Sequence, residues 1–374
     1  MKFFDRLIAS ILLITVCLPL ATEAQPTGPP GFEKIYSQRL DESHNAFDFW
    51  LGNWEVTWQR WIGKDSYQAT NISQHRVFAA LDGKALIELA YEDSIVLDSK
   101  TAGFSIRYFD DKLQKWVMFQ CWPGKNRVSF SSLQGTHHHK RIQLYRQGKL
   151  RRPLFGVPAG TTYDNRYTFS DAHPDSFRWE SSVSLDMMRT WATLNIAEGN
   201  RLTDFDALVD DQKQWFTQGD SYDCGDSLLA PLAPYLGTWT GELTYIEGKK
   251  KTKYKTERVL KPFLSGCAAL GYQINYIGGE IRKEIIFVSP LTDSDQWVFY
   301  TLNNQMGESH KTFFADNMGK ETLFTKKDTL GVTSSGSLNS FSWKASKPNK
   351  QIIKGDIPEK DWAFQLQLVR QEED

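Results

Sequence analysis

The chain reads as all-β, two antiparallel barrels in tandem, each preceded by a short plugging helix. Three observations predict this: short segments that alternate apolar and polar residues, turn residues between them, and a set of landmarks that occurs twice in one order. Trp54-Glu55-Val56-Thr57-Trp58-Gln59, Phe104-Ser105-Ile106-Arg107-Tyr108 and Ala363-Phe364-Gln365-Leu366-Gln367-Leu368 all alternate. A strand sends successive side chains to opposite faces, so this period is that of a half-buried strand. Asp82-Gly83, Asp110-Asp111 and Gln147-Gly148 punctuate these runs. Short strands joined by such turns build sandwiches or barrels. Only Ser43 to Trp50 and Ser227 to Tyr235 look helical.

The duplication is read from five landmarks. Leu51-Gly52-Asn53-Trp54 is answered by Leu236-Gly237-Thr238-Trp239, and His75-Arg76-Val77 by Glu257-Arg258-Val259. Tyr108-Phe109-Asp110-Asp111 with Lys115-Trp116 is answered by Ser289-Pro290-Leu291-Thr292 with Gln296-Trp297. Ser176-Phe177-Arg178-Trp179 matches Ser340-Phe341-Ser342-Trp343, and Trp191 matches Trp362. The resulting division is a signal peptide over 1–24, an extension over 25–39, a first barrel over 40–202, a linker over 203–228 and a second barrel over 229–374.

The first segment carries Lys2 and Arg6, an apolar run from Leu7 to Ala21, and small residues at Thr22 and Ala24, the form of a cleaved secretory signal. The expectation is export, to the periplasm or beyond the cell, with no integral span in the mature chain. Of the three cysteines after this segment, Cys224 and Cys267 could pair, but an odd number in a large chain is no disulfide scaffold.

The 374 residues hold 44 Lys+Arg against 45 Asp+Glu, a net charge of −1. Such a balance argues against a sequence-independent grip on nucleic acid. The basic run at Lys249, Lys250, Lys251, Lys253 and Lys255 alternates with Thr252 and Tyr254, as a solvated hairpin face does. Trp, Tyr and Phe make up 13% of the chain, enough to line or fill two cores.

Phe47-Asp48-Phe49-Trp50-Leu51-Gly52-Asn53-Trp54-Glu55-Val56, followed by Gly103-Phe104-Ser105 and Tyr108-Phe109-Asp110 with Lys115-Trp116, resembles an uncharacterised bacterial domain family with an F-D-F-W-L-G-x-W signature. That family is similar to the calycins, which include lipocalins and nitrobindins. The second copy departs from the signature, with Leu232-Ala233-Pro234-Tyr235 in place of the aromatic opening. The resemblance implies that Trp54 and Trp239 plug their barrels, with Arg201 and Arg370 stacked over them.

If Trp54 points inward, Val56, Trp58 and Arg60 share its face. The expected ligand wall of the first barrel is Trp58, Tyr108, Met118 and Gln120, with Arg60 or Arg107 offering charge to an acidic headgroup. The expected partner is a small, largely apolar molecule, with neither cofactor nor metal. No H-E-x-x-H, G-x-S-x-G, paired C-x-x-C or phosphate loop is present. His137 and His139 share a strand face, but Lys140 and Arg141 beside them would repel a cation. The alternative to carriage is a lyase, isomerase or hydratase using an interior carboxylate, with Asp48 and Glu88 as candidates. A third possibility is an interaction module with both barrels filled.

Overall fold

The computed structural model describes residues 31–64, 66–94, 99–124, 127–202, 230–264, 268–291, 296–305, 310–326, 338–357 and 362–371. The expected signal peptide and linker lie outside these residues, as do Cys224 and Cys267; Cys121 is a buried free thiol. The fold is nearly all-β, two ten-stranded antiparallel barrels in tandem. The first contains β2 (Gly52–Gly63), β3 (Ser66–Ala80), β4 (Ala85–Ser94), β5 (Ser99–Asp110), β6 (Lys115–Gly124), β7 (Arg127–His138), β8 (Arg141–Lys149), β9 (Thr162–His173), β10 (Ser176–Ser184) and β11 (Ala192–Arg201). Each strand pairs with its successor, and β11 returns to β2. A short β1 (Tyr36–Ser37) adds to the end of β3.

The second barrel repeats the meander with β12 (Gly237–Glu247), β13 (Lys250–Phe263), β14 (Ala268–Ile277), β15 (Glu280–Leu291), β16 (Gln296–Asn303), β17 (His310–Ala315), β18 (Glu321–Lys326), β19 (Ser340–Lys347), β20 (Lys350–Ile357) and β21 (Trp362–Arg370). Here β21 closes on β12. The helical segments are brief 3-10 turns: Glu42–His44 and Asp48–Trp50 before the first barrel, and Ala230–Tyr235 before the second.

Both barrels open on the same device. Gly52 and Gly237 have φ of 118° and 116°, a region that side-chain-bearing residues rarely enter. Trp54 and Trp239 follow, each fully buried. The Arg201 guanidinium lies 4.3 Å from the Trp54 ring centroid and donates to the Leu51 and Phe49 carbonyls. Arg370 lies 4.8 Å from the Trp239 centroid and donates to the Leu236 carbonyl. Each Arg thus ties the last strand to the chain ahead of the first.

Two of the sequence landmarks are corrected by register. Trp54 faces His75 across the ladder, whereas Trp239 faces Arg258. The counterpart of Arg258 is therefore His75, and the paired Arg-Val dipeptides are one residue out of step. Ser176 to Trp179 lies in the ninth strand of its barrel, while Ser340 to Trp343 lies in the eighth strand of the other. Local likeness there joins strands that are not equivalent.

The barrels pack on each other through one apolar cluster. Phe104 stacks on Phe287 at 5.5 Å and 3°, and Phe119 stacks on Tyr300 at 4.1 Å. Counted from Gly52 and Gly237 through the ladders, Phe119 and Tyr300 are counterparts. A residue meeting its own counterpart is the mark of two-fold, self-complementary packing. Phe32 and Ile35, within the segment read as an extension over 25–39, are fully buried in this cluster. Lys34 bonds Glu257, and Asp82 accepts from Lys283 and, at 2.7 Å, from Asn304. Strands here are apolar on both faces, which explains continuous runs such as Ile285-Ile286-Phe287-Val288.

Candidate functional site

The first barrel holds a cavity of about 280 Å³. Its walls come from Trp50 in the Asp48–Trp50 turn, Val56 and Trp58 on β2, and residues on β3 to β6 and β9 to β11. Most of the lining is apolar or aromatic, including Met118, Tyr167, Phe169, Phe177 and Trp179. Four polar side chains interrupt it: His75, Glu88, Arg107 and Gln120.

Three of these four belong to one buried network. Glu88 accepts from Arg107 Nη2 at 2.7 Å and from Ser105 Oγ at 2.5 Å on Oε2, while His75 Nδ1 lies 2.6 Å from Oε1. His75 Nε2 lies 2.6 Å from Ser73 Oγ, which accepts from Trp58 Nε1 at 2.6 Å. With a neutral imidazole each donor has one acceptor in turn, from Trp58 through Ser73 and His75 to the carboxylate. Burial alone would push the Glu88 carboxyl up, but the Arg107 charge and the hydrogen bonds from His75 and Ser105 hold it well below the usual range. Burial also draws Arg107 down, against the opposing pull of Glu88.

Arg107 is only partly satisfied. It is 2% exposed, and its Nε and Nη1 have no partner; the same holds for Trp50 Nε1. The guanidinium carbon lies 5.2 Å from the ring centroids of both Phe47 and Phe169. A buried donor without an acceptor is costly, and three such donors belong to residues that line this one cavity. Gln120 is held from behind, donating to Ser131 Oγ at 2.9 Å and Tyr167 Oη at 3.0 Å.

Of the expected wall, Trp58, Arg107, Met118 and Gln120 line this cavity. Tyr108 does not: it sits beside Arg107 on β5 and so points outward, into the cluster between the barrels. Arg60 is exposed and absent from the lining, although β2 pairs with β11 without a shift from Trp54 to Arg60. Asp48 is exposed in its turn and lies outside the lining, whereas Glu88 is within it. His75, Trp50 and Trp179 were missed. The signal for His75 was its place opposite Trp54, two residues from the buried Ser73, on the inward period of β3.

The Ser73–His75–Glu88 order has the atom sequence of a nucleophile relay. Ser73, however, is 1% exposed, accepts from Trp58 and is absent from the cavity lining. Its hydroxyl holds the wall rather than facing a substrate. His137, His138 and His139 are exposed at a turn, and among the described residues no three His, Cys, Asp or Glu side chains converge on a metal-sized site.

The charge network belongs to the first barrel alone. Through the ladders, the positions of His75, Glu88, Ser105, Arg107 and Gln120 correspond to Arg258, Gly271, Ile286, Val288 and Thr301. The second barrel holds a smaller cavity of about 160 Å³ with different polar groups.

Fold and site together define a tandem β-barrel protein with a mostly apolar cavity and a buried ion pair in its wall. No family model matches the chain, and no curated protein matches it. Among solved structures it is similar to a DUF3598-family protein of unknown function from Nostoc punctiforme PCC 73102, at 9% identity over 87% of this chain and 98% of that one, with a TM-score of 0.26. Another is a Transferrin Binding Protein B double mutant from Haemophilus parasuis Hp5, at 8% identity over 86% and 76%, with a TM-score of 0.17. Scores this low support no transfer of fold or function.

Proposed function

We propose that this protein is an exported binding protein whose first barrel holds a small, largely apolar molecule with an oxygen-bearing, acidic or carbonyl headgroup. The observation that carries this is the set of unpartnered buried donors, Arg107 Nε and Nη1 and Trp50 Nε1, on an otherwise aromatic cavity. Its volume sits just under the range of about 300–1,000 Å³ typical of small-molecule sites. Glu88 already balances the Arg107 charge, so a neutral carbonyl can serve as well as a carboxylate. The opening signature of the first copy, and the stacked Trp–Arg plug that both barrels share, support a calycin-like reading.

The test is quenching of cavity tryptophan fluorescence by decanoate, beside native mass spectrometry of the protein as purified. Saturable quenching, or a co-purified apolar molecule, is expected; the absence of both overturns the proposal. Comparing decanoate with decanal and decane reads which headgroup Arg107 selects. For export, the expected mature N-terminus is Gln25, readable by N-terminal sequencing of the protein from fractionated cells.

An enzyme reading rests on Glu88 as the interior carboxylate. Held ionised by three donors, Glu88 is a poor proton donor and its lone pairs are largely engaged. Its geometry suits a counter-ion that orients Arg107.

A further inference from the structure

We propose that the second barrel carries a separate site for a small organic monoanion of the carboxylate class, with Arg258 as the group that holds the charge. This goes beyond the binding proposed for the first barrel and rests on different residues.

Arg258 is 4% exposed and lines the 160 Å³ cavity. Its Nε donates to Gln273 Oε1 at 2.9 Å, and Nη2 shares that acceptor. Gln273 in turn donates to Asn275 Oδ1 at 3.0 Å, which also accepts from Thr256 at 2.6 Å. The guanidinium is thereby fixed in plane, and its carbon lies 5.3 Å from the Trp343 ring centroid. Nη1 is left without a partner. An arginine locked on one edge with a bare donor on the other is prepared for an acceptor from outside the chain.

Charge sets this cavity apart from the first. There, Arg107 is neutralised by direct contact with Glu88. Here the charged lining comprises Arg258, Lys311 and Glu284, formally one positive charge in excess, and Arg258's hydrogen-bonding partner is a neutral amide. Burial draws Arg258 down to about 10, opposed by Glu284, so it keeps its proton at neutral pH. A monoanion brings the lining to formal neutrality and gives Arg258 Nη1 a charged acceptor, whereas a neutral ligand adds no charge beyond that of Glu284.

Size and walls define the rest of the ligand. At ~30 Å³ per water the space equals about five waters, enough for a short chain or one ring. Phe299, Phe313 and Phe341 line it, with Phe341 edge-on to the other two at 4.9 and 5.0 Å. Edge-to-face aromatic walls accept a further ring readily.

Calorimetry with benzoate, and with benzamide as its uncharged isostere, tests this on the full chain. Benzoate should bind and benzamide should bind about thirtyfold more weakly, the scale of an unmatched buried charge. Arg258→Met should remove benzoate binding, and Leu243→Trp, which fills the cavity while leaving its charges in place, should do the same. Unchanged circular dichroism in Leu243→Trp separates loss of the site from loss of the fold. Equal affinity for benzamide, benzoate binding that survives both variants, or no benzoate binding at all would each overturn the proposal. Decanoate quenching in Arg258→Met reports on the first barrel independently, so failure of one site is distinguishable from failure of the other.

Discussion

Arg107 donates to Glu88 at 2.7 Å inside the first barrel, and the two side chains are 2% and 5% exposed. Breaking such a pair leaves a buried charge without compensation, at a cost of about 3–5 kcal/mol. Arg107→Met should destabilise the protein by that order in urea unfolding, and adding Glu88→Gln to it should recover part of the loss. Equal stability of the two variants would show that Glu88 does not depend on Arg107.

The same pair makes stability depend on acid. The folded carboxyl of Glu88 titrates well below its ordinary 4.5, so the native state binds fewer protons than the unfolded chain across that window. Its contribution is complete above about pH 5 and falls away as the pH drops toward Glu88's depressed value. The melting temperature should therefore fall more steeply below about pH 5 in the native protein than in Glu88→Gln. Parallel pH profiles would refute this.

Gly52 and Gly237 hold φ near 118° and 116° at the start of β2 and β12. Ala at either position meets backbone strain of about 1–3 kcal/mol. Gly52→Ala and Gly237→Ala should lower the unfolding midpoint by similar amounts, a result that follows only if the two turns are true counterparts.

The two plugs should not be equal. Arg201 is half-buried over Trp54, while Arg370 is exposed over Trp239. Cation–π contacts strengthen from about 0.5–1 kcal/mol at exposed sites to about 2 when desolvated. Arg201→Met should therefore cost more than Arg370→Met, as chemical denaturation of the two variants would show.

Phe119 and Tyr300 hold the barrels together at the centre of the shared cluster. Phe119→Ala removes a buried ring, at a cost of about 3–5 kcal/mol. Scanning calorimetry should show one transition for the native chain and two for the variant. A single transition in both would mean that the salt bridges at Lys34 and Lys283 suffice for coupling.

Much of the architecture was legible in the residues. Alternation at Trp54 to Trp58 and Phe104 to Tyr108 marks strands, and the Leu-Gly-x-Trp pair marks a duplication that the fold repeats strand for strand. The interface left its own trace in continuous apolar runs such as Val77 to Leu81, where alternation is lost because both faces are covered. The site was legible only in part. Trp58, Arg107, Met118 and Gln120 line the cavity, but so do Trp50, His75 and Trp179, which stand in the signature and the repeat landmarks with nothing local to mark them as wall.

By itself the sequence determined which segments are strands, that they occur as two copies, and which residues share a strand face. Those properties follow from side-chain period and turn chemistry, which are local. Only the tertiary structure decided which face is the inside, why Arg107 enters the cavity while Tyr108 seals the interface, and that His75 rather than Arg76 answers Arg258. The physical reason is that a strand has two faces related by a single-residue step, and a bulge or a one-residue slip exchanges them. Which face is buried is set by partners far away in the chain.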